Sequence, residues 1–230
     1  MDKTKVDRFW ERQSKLEDPD LAARFSKNNK IKYDIELIRK YMPENPRVLD
    51  LGCGSCIITN KLEPYASYIC AVDKQAELFR FCVSSEKIRK VKADIVEYTD
   101  EDKYDIIIIF GVFNYTTAEE MKTVCNNCRS MLKDKGYLII KHACGVCEDV
   151  YVDKFSEQLG YWYCAEYRHV AKEEELIKAQ GFSVEVIDIY PAELNPWDNT
   201  HYYAFAAKKH SEAEFYEDAN NRNRKTGSVD

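Results

Sequence analysis

The chain of 230 residues contains no apolar run long enough to span a bilayer. Its most apolar stretch, Ile106 to Phe113, falls well short of the roughly 20 residues that a crossing requires. The first residues, Met1-Asp2-Lys3-Thr4-Lys5-Val6-Asp7-Arg8, lack the apolar centre of a signal peptide, so a cytoplasmic protein with no membrane partner is expected. A basic excess is also missing. The 34 Lys and Arg face 40 Asp and Glu, giving a formal net charge of -6. That balance argues against a broad nucleic-acid footprint, and DNA is not an expected partner, although a local basic patch stays open. No internal repeat divides the chain. The nine cysteines are an odd number, which argues against a disulfide framework. Three pairs have C-x-x-C spacing: Cys53/Cys56, Cys125/Cys128 and Cys144/Cys147. The elements that carry them sit apart in the expected fold, so reduced structural thiols are expected and no metal.

What is present is one domain's worth of chain, 45% apolar, long enough to bury a full sheet with helices on both faces. The most informative stretch is Val48-Leu49-Asp50-Leu51-Gly52-Cys53-Gly54-Ser55-Cys56. It reads as a buried strand entering a tight glycine turn and then a helix. Two glycines without Cβ atoms let the backbone bend sharply and approach a ligand closely. Asp50 stands at the carboxyl end of the strand, where open α/β sheets bind their ligands. The next apolar strand, Tyr68 to Val72, ends in Asp73, and Lys74 follows. An acidic residue about 20 positions beyond a glycine turn suits the hydroxyls of a ribose, so an adenosine-type cofactor is expected.

A nicotinamide site would carry G-x-G-x-x-G, but the third position here is Ile57. The stretch instead resembles motif I of the S-adenosylmethionine-dependent methyltransferases with a Rossmann-like core, departing at Cys56, where a third glycine usually stands. The resemblance extends to Val91-Lys92-Ala93-Asp94-Ile95 as third strand, Tyr104 to Gly111 as fourth, and Met131 to Ile140 as helix end, turn and fifth strand. Gly181 to Tyr190 and His201 to Lys208 read as sixth and seventh strands. The implied fold is a doubly wound, mostly parallel seven-stranded α/β sheet whose last two strands form an antiparallel hairpin. A helical cap over 1–42 precedes a core over 43–210 that holds an insert at 145–168, and a polar tail over 211–230 is expected to be disordered. Helical character is expected over Val6 to Lys15, from Asp18-Pro19-Asp20 into Leu21 to Phe25, and over Ile31 to Tyr41. Between Arg47 and Lys141, strands and helices are expected to alternate.

The resemblance implies S-adenosylmethionine as methyl donor and S-adenosylhomocysteine as product. The implied cofactor contacts are Tyr33, Asp50, Gly52, Cys53, Gly54, Asp73, Lys74, Asp94, Ile95, Phe110 and Gly111, with Asp94 near the adenine. In-line methyl transfer asks the protein chiefly to hold an acceptor atom beside the methyl group. His142, just past the fifth strand, is the first candidate for a general base, and a structural hydrogen bond at a strand end is the equal alternative. Tyr115, Arg168, Trp197 and His201 are candidate substrate contacts. The insert, with Tyr151, Phe155, Tyr161, Trp162, Tyr163 and Tyr167, is either an acceptor wall or a small packed subdomain. There is no [D/N]-P-P-[Y/F] after the fourth strand, as in DNA amino-methyltransferases, and no acidic loop of the arginine-methyltransferase kind. The expected acceptor is a small polar molecule, with oxygen of a sugar or surface-polysaccharide precursor as the leading class. A nitrogen acceptor, a protein or RNA substrate, and a non-catalytic cofactor-binding protein are the alternatives. Oligomeric state is not legible.

Overall fold

A computed structural model describes residues 1–23, 30–157, 159–195 and 197–210. Helix α1 (Lys3–Gln13) starts at Asp2, whose carboxylate accepts the N–H groups of Thr4 and Lys5, and it buries Val6 and Phe9. A short helix α2 (Pro19–Ala22) is capped in the same way by Asp18. Phe25 and the segment 211–230 lie outside the described residues, as does Pro196. Helix α3 (Lys30–Tyr41) buries Asp34, Leu37 and Ile38.

The core then runs β1 (Arg47–Leu51), α4 (Ile57–Leu62), β2 (Tyr68–Asp73), β3 (Ile88–Lys92), β4 (Tyr104–Phe110), α5 (Ala118–Met131), β5 (Leu132–Gly145), β6 (Val150–Ser156), β7 (Tyr161–Tyr167), α6 (Val170–Lys178), β8 (Phe182–Asp188) and β9 (Thr200–Lys209). Seven strands form one sheet in the order β3-β2-β1-β4-β5-β9-β8. The first five are parallel, and β9 runs antiparallel to both β5 and β8. The sequence reading of a mostly parallel sheet ending in an antiparallel hairpin holds. The chain reverses its direction of winding between β1 and β4, the place where doubly wound sheets open a ligand crevice.

Three local expectations need correction. The third strand lies at Ile88–Lys92, so Asp94 sits beyond its end rather than within it. The alternation with helices fails around that strand. Only a 3-10 segment, Ala76–Phe81, links β2 to β3, and turns link β3 to β4. The acidic side chains there bond their own backbone: Asp94 accepts the N–H of Val96 at 3.0 Å and Asp100 that of Asp102 at 3.0 Å, which favours turns over helix. Finally, β5 is longer than expected and reaches Gly145, because β9 pairs with it from Tyr137 onward.

The insert forms a separate two-stranded sheet, β6–β7. Tyr163 and Ala165 of β7 pack with Phe9 of α1, while Tyr151, Phe155 and Trp162 are exposed. A cap α1 and the insert therefore brace one another. Lys5 of α1 adds an ion pair with Asp153 of β6 at 2.8 Å.

Candidate functional site

The carboxyl ends of β1, β2 and β4, together with Asp94 past β3, frame one cleft of about 260 Å³. Helix α1 covers part of it with Lys3, Val6, Asp7 and Trp10. At the β1 end, Gly52 and Gly54 have φ of +73° and +53°, the left-handed region that L side chains rarely adopt. A Cβ on Gly52 would lie 2.4 Å from a methyl of Val112, so this turn and the loop after β4 pack at glycine distance. Cys56, at the position of the usual third glycine, also has a positive φ, +57°, and its side chain is buried in the core with Ile58 and Leu62 rather than lining the cleft.

Asp73 ties the turn to β2. Its carboxylate accepts the N–H of Gly54 at 2.9 Å and of Gln75 at 2.8 Å. Burial pushes its pKa up, and these backbone N–H groups oppose the rise. Asp50, almost fully buried, accepts the hydroxyl of Thr59 at 2.6 Å. Burial raises its pKa to about 6, against the pull of Thr59 and with a smaller push from Asp73. Lys74 joins α1 to this end of the cleft, 2.9 Å from Asp7 and 3.4 Å from Asp94.

The opposite end has different chemistry. Lys141 of β5 donates to Asp34 at 2.8 Å and to the Tyr190 hydroxyl at 2.9 Å. Tyr190 in turn donates to the second oxygen of Asp34 at 2.6 Å. Burial, reinforced by the charge of Asp34, raises the Tyr190 pKa and keeps that hydroxyl protonated. Lys30, on the first turn of α3, lies 4.1 Å from the ring centre of Tyr202 and 5.1 Å from that of Tyr190. Burial lowers its pKa, Lys141 lowers it further, and Asp34 counteracts both.

Of the residues expected from sequence, Asp50, Gly52, Cys53, Gly54, Asp73, Lys74, Asp94, Ile95, Phe110, Gly111 and Tyr115 line this one cleft. Tyr33 does not; its ring packs edge-on against Tyr190 at 6.0 Å. His142 is also elsewhere. Successive residues of a strand point to opposite faces, so His142 faces away from Lys141 and is buried with its Nε2 2.7 Å from Glu173. Arg168 joins the same network, donating to Glu173 at 2.6 Å and to the carbonyls of Thr116 and Phe113, each at 2.8 Å. Trp197 is 65% exposed and pairs with Thr200, and His201 contacts Asp188 and Asn195. His142, Arg168, Trp197 and His201 are not among the residues that line the cleft. Sequence reasoning missed Trp10, Lys30, Asp34, Lys141, Tyr190 and Tyr202. The readable signal was Lys141, a charged residue within an apolar strand next to the histidine.

Among the described residues no group of three His, Cys, Asp or Glu side chains is placed to hold a metal ion. The sulfurs of Cys53 and Cys56 lie 3.9 Å apart, and burial pushes the thiols of Cys125, Cys128 and Cys144 up. No described helix is long and apolar enough to cross a membrane.

The glycine turn closed on a buried carboxylate, at the reversal point of the sheet, fits an adenosine-bearing cofactor. Residues 48–136 match the family model of a methyltransferase domain. Over this stretch the chain is similar to methyltransferase domains. The methyltransferase likeness extends beyond it. The 1,6-didemethyltoxoflavin-N1-methyltransferase of Burkholderia thailandensis, solved with 1,6-didemethyltoxoflavin and S-adenosylhomocysteine, superposes with a TM-score of 0.67 at 15% identity, over 91% of this chain and 87% of that one. The N-methyltransferase NodS of Bradyrhizobium japonicum, in complex with S-adenosylhomocysteine, superposes with a TM-score of 0.62 at 16% identity, over 89% of this chain and 98% of that one. At such identities the likeness is one of fold. In sequence, the ribosomal protein L11 methyltransferase of Campylobacter concisus is 25% identical over 144 residues, 61% of this chain and 50% of that protein. The chain spans about half the length of the curated relatives it matches.

Proposed function

We propose that this protein moves a methyl group from S-adenosylmethionine to a small polar acceptor. The observation that carries the reading is one cleft with two chemically different ends. At one end lie the glycine turn with Asp50 and Asp73. At the other lie Lys30, Lys141, Tyr190 and Tyr202.

S-Adenosylmethionine, when bound, supplies a methyl group on a positively charged sulfur. The protein's part is to bind, orient and exclude water. Asp73 and the Gly52–Gly54 turn hold the nucleoside, with Asp73 as the ribose anchor and Asp94 toward the base. Phe110, at the end of β4, and Gly111 and Val112, just after it, form the wall between the two ends. Trp10 and Tyr115, with ring centres 5.1 Å apart, close the cleft from the α1 side. Enclosure of this kind orders the acceptor in line with the methyl group and keeps water away from it.

The acceptor atom follows from what the cleft offers. An oxygen acceptor in a sugar or surface-polysaccharide precursor was the leading class while His142, Arg168, Trp197 and His201 stood as site residues. With those four elsewhere, that class loses its residue support. A nitrogen acceptor needs only its neutral form and no base, and among the described residues no histidine lines the cleft. Two structural neighbours carry names that state N-methylation. We therefore place nitrogen level with oxygen and keep the acceptor class at small and polar.

Calorimetric titration with S-adenosylhomocysteine tests the reading. Micromolar, one-to-one binding is the expected result. A folded protein that takes up none of it would remove both the cofactor assignment and the proposed reaction.

A further inference from the structure

The acceptor end of the cleft has more positive charge than its partners match. Asp34 is fully buried and both its oxygens are engaged, one by Lys141 at 2.8 Å and one by Tyr190 at 2.6 Å. It can neutralise one ammonium group, and Lys141 takes that place. Among the described residues the ammonium of Lys30 meets ring faces, those of Tyr202 and Tyr190, with no carboxylate within ion-pair distance. Ring faces attract a cation but carry no net charge. Lys30 is half withdrawn from water, and it is pressed by a second ammonium group. Unmatched charge in such a place is costly unless something of opposite sign arrives.

The charge also varies along the cleft. The carboxylates Asp73 and Asp50 stand over β2 and β1, with Asp94 beyond β3, whereas Lys141 stands on β5 and Tyr202 and Tyr190 by β9 and β8. Three strand spacings separate β2 from β5, on the order of 14 Å. The lysine end is thus set apart from the end that suits a nucleoside, and saturation with S-adenosylhomocysteine, which carries a carboxylate of its own, separates a second anion from the cofactor. Phe110, 4.5 Å from the Lys141 ammonium, provides an apolar face beside the charge.

We propose that the acceptor is an anion, a small molecule whose carboxylate or phosphate group seats on Lys30 beside the Lys141–Asp34–Tyr190 network. This inference rests on the methyltransferase reading of the cleft. Lys30 supplies the pairing charge. Lys141 and Tyr190, fixed by Asp34, hold the neighbouring surface in place, so that the anion meets an ordered wall. An occupant of this kind matches the surplus charge, and it orients the opposite end of the acceptor toward the middle of the cleft, where Phe110 and Gly111 lie.

The test uses the full chain saturated with S-adenosylhomocysteine, titrated calorimetrically with inorganic phosphate and separately with benzoate. Saturable binding of at least one probe is expected. Lys30→Met should weaken it by about tenfold, as the loss of one charge-assisted contact implies, and Lys30→Arg should retain it. Phosphate alone would assign a phosphate-bearing acceptor and benzoate alone a carboxylate. Binding of neither probe, or binding that Lys30→Met leaves unchanged, overturns the inference. If S-adenosylhomocysteine itself does not bind, the methyltransferase reading falls. The same titrations on the cofactor-free protein then judge the anion site by the same criterion.

Discussion

Lys141 and His142 are neighbours in β5, yet each anchors a different buried ionic network on a different face of the sheet. On one face, Lys141 joins Asp34 and Tyr190 beside Ile139, and the group borders the cleft. On the other, His142 joins Glu173 and Arg168 beside Leu138 and Ile140, beneath α5 and α6. The first network opens on the cleft, and among the described residues no carboxylate lies within ion-pair distance of Lys30 beside it. The second does not reach the cleft, and the His142 Nδ1 within it is buried with no hydrogen-bond partner among the described residues. Glu173 receives Arg168 and His142, and the remaining Arg168 donors cap the carbonyls of Phe113 and Thr116. Burial alone would raise the Glu173 pKa, but His142 and Arg168 outweigh it and the net shift is downward. A buried charge cluster is thus no sign of function by itself. Whether its charges balance, and whether it reaches a cavity, separates the two.

The comparison can be broken most directly by removing one partner from each network. Glu173→Ala strands Arg168 beside His142, and Lys141→Met strands Asp34. Each should cost about 3–5 kcal/mol in denaturant unfolding, but only Lys141→Met should also weaken phosphate or benzoate binding. Equal effects on anion binding would erase the distinction between the two networks.

The next largest effect is a pH dependence that separates Asp50 from Glu173. Asp50 is raised from 3.8 to about 6 in the folded state. The native protein therefore binds that proton more tightly, and the associated stability is present below about 4 and lost as pH rises through about 6. The shift corresponds to on the order of 3 kcal/mol. Glu173 is shifted the other way. Its contribution is present above the ordinary carboxylate range and disappears as pH falls through its lowered value. Asp50→Asn should flatten the loss between about pH 4 and 6 and leave the acid limb intact, as thermal unfolding across pH would read.

A smaller effect sharpens the contrast between the two ends of the cleft. Asp73→Ala removes a charged acceptor and frees the N–H groups of Gly54 and Gln75. S-Adenosylhomocysteine should bind about 1–3 kcal/mol more weakly, while phosphate binding at the lysine end should be little changed. Unaltered cofactor affinity would take the ribose role away from Asp73. The smallest effect belongs to Trp197→Ala. Its side chain is largely exposed and off the cleft, so stability should stay within about 0.5 kcal/mol and both ligands should bind as before.

The cofactor end was legible because its demands are local. A turn that needs positive φ declares itself through Gly52 and Gly54, and Asp73 follows them at the distance set by one strand-helix-strand unit. The acceptor end was not legible in this way. Asp34 and Lys141 are 107 residues apart in sequence, and Tyr190 is 156 residues from Asp34. His142 drew attention because histidine is the commonest general base, and nothing in its own segment reveals that Glu173 covers it. The misplaced helices around β3 have a similar origin, since turn bonds to Asp94 and Asp100 decide a segment whose polarity suits either state.

The sequence carried the succession of the seven sheet strands along the chain, the glycine turn, and the carboxylates Asp50 and Asp73 at the strand ends. These depend on backbone conformational limits and on apolar periodicity, which act over a few residues. The tertiary structure alone decided which face of β5 meets the cleft, what matches each buried charge, and that Lys30, Lys141, Tyr190 and Tyr202 share one wall. Those outcomes depend on pairing and burial between distant segments, where one residue of register carries a side chain from the cleft to the opposite face.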